Sequence, residues 1–340
     1  MKLKENYATY DEIKSQTAAW AQALDLTGKA DLPQAENYDQ VIFVGCGSTY
    51  FLSLAASALY QKLTGRTARA VPGAELLLNS NTILTNQKTL LVAVSRSGTT
   101  TETVKAVEKF NEMKQGQVLT ISNYDEQLSQ IADASIVIPM GQEESIAQTR
   151  SFASMYIAAT ALSARMAGRK DLLDQMATLP EIGDRIIHEF EPDARKLGEN
   201  LDFDRFYFLG SGIQYGLACE VNLKMKEMTL THSEPFYFLE FRHGPMSMVN
   251  KKAVVIGLVS ESNRKHETAV LNEMGKLGGK IFTVGESGAD VSFNSEIPEE
   301  VRAVLYLPAL QLMAFYRSLA KGLTPDHPRN LSSVIQLDNL

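Results

Sequence analysis

Apolar and polar positions follow a repeating order along this chain. A short, wholly apolar run meets a turn of glycine and hydroxyl residues, and a helically spaced stretch follows. Val41–Val44 runs into Gly45-Cys46-Gly47-Ser48-Thr49 and a helical pattern to Leu63, with Gly65 placed as a C-cap. Leu90–Val94 stops at Ser95-Arg96-Ser97-Gly98-Thr99-Thr100-Thr101, and a helix is predicted over Thr100–Lys114 with Gly116 past its end. Val118–Ser122 and Ser135–Pro139 read as strands, with a short helix at Gln127–Ala132 between them and a longer one over Ala153–Gly168. Apolar strands alternating with helices imply a parallel sheet covered on both faces. Ahead of the first strand lies an amphipathic helix, Tyr10–Leu24, holding the only tryptophan, Trp20; it is read as packing on a later domain or a partner chain. Leu32–Asp39 is a loop. Gly168–Glu199 is mostly helical and charged, an inter-domain connector.

The pattern then returns. Phe206–Tyr215 matches Val41–Tyr50 at an offset of 165 residues, and Val254–Glu267 lies over LLVAVSRSGTTTE at nearly the same offset. Ile281–Gly285 lies over VLTIS, and Val304–Pro308 over SIVIP, which makes it the last expected strand. Four matches in one order at one spacing indicate a tandem duplication into units of roughly 150 residues.

Composition narrows the class. The 340 residues are 44% hydrophobic and 21% charged, enough for sizeable cores. A net charge of −7 argues against nucleic acid as the main partner. No uninterrupted apolar run reaches the roughly 20 residues that span a bilayer. MKLKENYATYDE has no signal core, and Cys46 and Cys219 form no ligand-type spacing. A reduced, cytoplasmic protein without membrane contact is expected. His188, His232, His266 and His327 make no metal spacing with one another.

The candidate chemistry lies in three places. The turn Ser95–Thr101 joins a strand end to a helix N-terminus, where the helix dipole and free N–H groups favour an anion. Its hydroxyls add donors, Gly98 allows close approach, and Arg96 adds a cation; Thr99 and Glu102 also have the spacing of a capping box. In the second copy Ser260-Glu261-Ser262-Asn263-Arg264 takes its place, and the glutamate makes a poorer anion seat. Gly47, Ser48 and Thr49 are further donors at a strand end, but Tyr50 breaks the G-x-G-x-x-G dinucleotide pattern. A helix over Leu217–Leu230 puts Glu220, Lys224 and Glu227 on one flank, by spacing alone a solvated ion-pair stripe. Phe238–Pro245 sets Glu240, Arg242 and His243 in one short loop.

The segments GCGSTY, SRSGTTTE, SIAQTRSF, LKMKE, EFRHGP and DHPRNLSSV together resemble the tandem sugar isomerase (SIS) family, from about Val41 to Leu337. Within it the chain is similar to the isomerase half of glucosamine-6-phosphate synthase, amino-sugar-phosphate deaminase/isomerases and fructosamine-6-phosphate deglycases. The resemblance implies two flavodoxin-like αβα sandwiches with parallel sheets. They are placed as a helical segment over 1–35, a phosphate-binding SIS domain over 36–168, a connector over 169–199, a second SIS domain over 200–325 and a tail over the site at 326–340. It implies a sugar phosphate held by Ser95, Ser97 and Thr100, with Gly47, Ser48, Thr49, Arg96, Ser151, Glu240, Arg242 and Ser333 as further substrate contacts. Glu227 is the implied catalytic base, Lys224 its neighbouring cation, and His243 the ring-opening group, reaching the site of a partner subunit in a homodimer.

The expected reaction is aldose–ketose isomerisation through an enediol or enamine-like intermediate, with no metal or organic cofactor. A base of this kind works best when burial lifts its pKa and a cation limits the lift. Loss of an amine from an amino-sugar or fructosamine phosphate, isomerisation of a 6-sulfonated (sulfoquinovose-type) sugar, and a non-catalytic phosphosugar sensor are the alternatives. Two departures stand out. The roughly 40 residues before the first strand leave no room for a glutamine-hydrolysing domain, and Ser333 stands where the synthase tail has a lysine.

Overall fold

The computed structural model describes residues 6–332, 334 and 337. It divides into two units. The N-terminal unit comprises Ser15–Glu143, Arg150–Thr178 and the described residues after Leu331; the C-terminal unit comprises the residues up to Lys14, Glu144–Thr149 and Leu179–Leu331. The first helix, α1 (Ala8–Lys29), longer than the sequence pattern marked, is divided between them at Lys14.

In the N-terminal unit the chain runs β1 (Gln40–Gly45), α2 (Ser48–Thr64), β2 (Thr67–Pro72), α3 (Gly73–Leu78), α4 (Ser80–Ile83), β3 (Thr89–Ser95), α5 (Thr101–Met113), β4 (Gly116–Ser122), α6 (Gln127–Gln130), β5 (Ala134–Val137), α7 (Arg150–Met166) and α8 (Lys170–Met176). The strands pair in parallel in the order β2-β1-β3-β4-β5. All residues of β1 and β3 are buried, as central strands covered on both faces require. Ile42, Val44, Leu91 and Ala93 pack with Val104, Val107 and Phe110 of α5.

The C-terminal unit repeats the plan: α9 (Leu179–Glu189), α10 (Glu191–Glu199), β6 (Arg205–Gly210), α11 (Ile213–Thr229), β7 (His232–Tyr237), β8 (Ala253–Val259), α12 (Arg264–Lys276), β9 (Lys280–Gly285), β10 (Val291–Ser292) and α13 (Leu307–Ala320). Its parallel order β10-β9-β8-β6-β7 reproduces the first sheet, and both have the flavodoxin-like arrangement. The duplication reaches individual dihedrals. Gly47 has φ 57° and ψ −122°, its counterpart Gly212 φ 56° and ψ −121°, and each is the N-cap of the helix after the first strand. A side chain is strained at that φ, so glycine is required at both turns.

Three sequence expectations need correction. Val304–Pro308 is not a strand: Ala303–Tyr306 forms a 3₁₀ turn leading into α13, whose first turn carries Pro308, where a missing N–H costs nothing. These residues are buried on every side, so hydrophobicity there carries no period to separate strand from helix. The fifth strand is instead the two-residue β10, and β7 was not foreseen. Thr99 and Glu102 do not form a capping box, because Thr100 is the N-cap of α5 and makes no side-chain cap bond. Among the described residues, Ala303–Ala320 is long and apolar enough to cross a membrane, and 89% of it is buried inside the protein.

In the C-terminal unit Glu191, at the start of α10, accepts hydrogen bonds from Tyr10 (2.7 Å), Lys14 (2.8 Å) and Tyr316. Burial raises the carboxyl's pKa, but these three partners outweigh it and hold Glu191 below the usual glutamate value. Its contribution to stability is therefore present above that value and lost as pH falls through the depressed one. Glu191→Gln is expected to cost about 1–3 kcal/mol in urea unfolding at pH 7. The gap to the parent should close as the titration is carried toward pH 3.

Candidate active site

In the N-terminal unit, β1 and β3 are the strands between which the chain reverses its order, and ligands of open α/β sheets bind beyond the carboxyl ends of such strands. The turns after both strands meet this condition. Ser95 ends β3 and its Oγ accepts the Gly98 N–H at 3.2 Å; Gly98 sits at φ 71°, and Ser97 Oγ accepts the Thr99 N–H at 3.1 Å. Ser95 Oγ and Thr100 Oγ1 lie 3.4 Å apart, so hydroxyls at the strand end and the helix N-cap face one another. The N–H of Leu337 reaches Thr101 Oγ1 at 3.2 Å, which brings tail residues to the start of α5.

Two residues singled out with this turn are engaged inside the protein. The Arg96 guanidinium is 7% exposed and lies 3.6 Å from the fully buried carboxylate of Glu143. Ser151 donates its N–H (3.0 Å) and its hydroxyl to the same carboxylate. Arg96 and Ser151 thus converge on Glu143, a residue the sequence reading passed over. After β1, Thr49 Oγ1 accepts the Cys46 N–H and donates to the Cys46 carbonyl, Ser48 is buried, and Gly47 is exposed.

The matching turn of the C-terminal unit has the same skeleton, with Ser260 Oγ accepting the Asn263 N–H at 3.1 Å. Here the protein supplies the anion. The carboxylate of Glu299 accepts the N–H groups of Glu261 (3.2 Å) and Ser262 (3.0 Å) and the Ser262 hydroxyl (3.1 Å). Glu261 turns instead to Arg302, at 2.6 Å.

The acid–base candidates lie on α11, also in the C-terminal unit. Lys224 is 1% exposed and sits between Glu220, 3.2 Å away and equally buried, and Glu227, 2.7 Å away and 19% exposed. The flank is therefore not the solvated stripe that spacing alone predicted. Burial lowers the Lys224 pKa, but the two carboxylates outweigh it and hold the ammonium above the ordinary lysine value. Glu227 is in the last turn of α11, about 20 Å along the axis from the helix start that faces the strand carboxyl ends. It borders a cavity of about 120 Å³ whose other walls are Met228, Leu230 and the segment after α13, including Leu323, His327 and Arg329.

Glu240, Arg242 and His243 do not form one cluster. Arg242 makes a bidentate pair with Glu273, both contacts at 2.7 Å, while Glu240 and His243 are exposed. The His243 ring has no hydrogen-bond partner among the described residues. Ser333 lies outside the described residues. Among the described residues no group of three or more His, Cys, Asp or Glu is placed to hold a metal ion.

The chain matches the family model of the SIS domain twice, over residues 36–165 and 202–309. It is 24% identical over 348 aligned positions to the isomerizing glutamine–fructose-6-phosphate aminotransferase of Methanothermobacter thermautotrophicus, covering 99% of this chain and 57% of that protein. It is 29% identical to the enzyme of that name from Pyrococcus horikoshii, covering 88% of this chain and 52% of the relative. The chain thus spans about half the length of the curated relatives it matches. Among solved structures, glucosamine-6-phosphate deaminase from Thermotoga maritima superposes with a TM-score of 0.84 and 26% identity, over 97% of this chain and 100% of that one. Tagatose-6-phosphate ketose/aldose isomerase from Escherichia coli shares the fold, with a TM-score of 0.83 and 22% identity over 96% and 98% of the two chains. With two matched segments that fall on the two parallel sheets, the chain belongs to the SIS domain family.

Proposed function

We propose that this chain interconverts the aldose and ketose forms of a sugar 6-phosphate by acid–base catalysis. The observation that carries the reading is the arrangement on α11: a partly exposed carboxylate at a cavity, backed by a buried ammonium that is itself fixed by a second carboxylate. A surface ion pair has no need of this third, buried member. Glu227 moves the proton between C2 and C1, and Lys224 is its fixed counter-ion. The hydroxyl turn Ser95, Ser97 and Thr100 takes the phosphate, with Arg96 braced by Glu143 behind it.

His243 opens the sugar ring from a partner subunit of a homodimer. Its exposed loop supports this role, because Tyr237, Leu239 and Met248 beside it are also exposed. The Thermotoga relative, a glucosamine-6-phosphate deaminase similar over its whole length, favours a second reading in which an amine leaves during the same proton transfers. Ammonia release from an amino-sugar phosphate separates that outcome from plain isomerisation. A thermal-shift panel of sugar 6-phosphates and 6-sulfonated sugars identifies the charged group.

Glu227→Gln should lower kcat by about 10²–10⁴-fold with KM nearly unchanged. Wild-type turnover in that variant would remove Glu227 from the mechanism. Lys224→Met leaves the Glu220 carboxylate buried without its cation and should cost about 3–5 kcal/mol in urea unfolding, much of it recovered in Lys224→Met/Glu220→Gln. Removing the Ser97 hydroxyl with Ser97→Ala should raise KM for a phosphorylated sugar by about tenfold or more, the worth of a hydrogen bond to a charged group, while kcat holds.

A further inference from the structure

We infer that His327 is the second proton-transfer group of the reaction, working on the sugar oxygens while Glu227 works on the carbons. This rests on the isomerase reading above and adds a residue to it. The cavity beside Glu227 is bordered on its far side by Gly322–Thr324 and His327–Arg329. Of these residues, His327 alone carries an imidazole, the side chain most often used for general acid–base transfer. Its ring makes no hydrogen bond to any described residue. His243 is not among the residues lining this cavity.

The backbone on either side of His327 is fixed. The carboxylate of Asp326 caps α1, accepting the N–H groups of Ala8 (3.0 Å) and Thr9 (2.9 Å) and the Thr9 hydroxyl (2.6 Å). The Asp326 carbonyl accepts the Ile146 N–H at 3.0 Å, and Pro325 and Pro328 are both buried. His327 is therefore held by a strap pinned before and after it, as a proton-transfer group must be. All of these contacts lie within the C-terminal unit.

Chemistry requires such a group. Each aldose–ketose interconversion moves one proton between carbons and one between oxygens. As the Glu227 carboxylate takes the proton from C2, the His327 imidazolium gives one to the carbonyl oxygen on C1, and the enediol forms. The Glu227 carboxylic acid then returns its proton to C1. The now neutral imidazole removes the hydroxyl proton from the oxygen on C2, leaving the ketone. Both side chains finish as they began, and no co-reactant is consumed. Arg329, always cationic, faces the negative charge that builds on the oxygens.

The test compares His327→Ala, His327→Gln and Glu227→Gln in the full chain on the sugar phosphate that the parent turns over. Both His327 variants should lose about 10²-fold or more in kcat with KM within a few fold. Free imidazole should restore His327→Ala in proportion to its concentration and leave His327→Gln unchanged, which a structural role would not do. The inference is overturned if kcat stays within threefold of the parent, if only KM rises, or if imidazole restores nothing. Those outcomes leave the isomerase reading standing so long as Glu227→Gln is inactive; an active Glu227→Gln removes that reading itself.

Discussion

The buried ammonium of Lys224 is the charge around which α11 is arranged. A charge of that size taken out of water costs several kcal/mol even after relaxation, and nothing apolar can offset it. Two carboxylates do so, one four residues before it and one three residues after, on the same face of α11. The two carboxylates divide the roles by position: Glu220 is sealed in as a permanent partner, whereas Glu227 stays 19% exposed at the mouth of a cavity. Which of the two acids meets solvent follows from where the helix ends.

That ending also separates two kinds of site within one architecture. Open parallel sheets gather ligands beyond the carboxyl ends of their strands, and the Ser95–Thr100 turn lies there in the N-terminal unit. Glu227 does not occupy the corresponding place in its own unit. It stands at the other edge, where α11 finishes and β7 begins. In place of strand-end loops, the cavity there is walled by the chain leaving α13, and Lys321 of that chain donates to the Leu230 carbonyl at the C-cap of α11.

Much of the fold was legible because its signals are local. β1, β3, β4, β6, β8 and β9 are apolar runs that stop at glycine or serine turns, and the repeat fixed their correspondence. β7 escaped notice because HSEPFY is only partly buried and contains Pro235, which a sheet admits at its edge. Val304–Pro308 misled because complete burial erases periodicity. In the site, the serine and threonine turn and the Lys224 flank could be read from spacing. Glu143, Glu299 and Asp326 could not: each acts on residues dozens to hundreds of positions away, and only the folded chain brings a carboxylate to Arg96, Ser262 or Thr9. Nothing in the sequence marks His327 beyond its lack of metal spacing, since Glu227, which borders the same cavity, is far off along the chain.

The carboxylate of Glu299 has a consequence for how the duplicated chain divides its labour. A free anion reaching the turn at Ser260–Asn263 would compete with an occupant tethered to the same polypeptide. In the second copy a side chain of the protein itself satisfies the amides of the turn, while the loop keeps the same skeleton as its counterpart. The copy whose turn is filled from within is also the one whose helix holds Lys224 between Glu220 and Glu227.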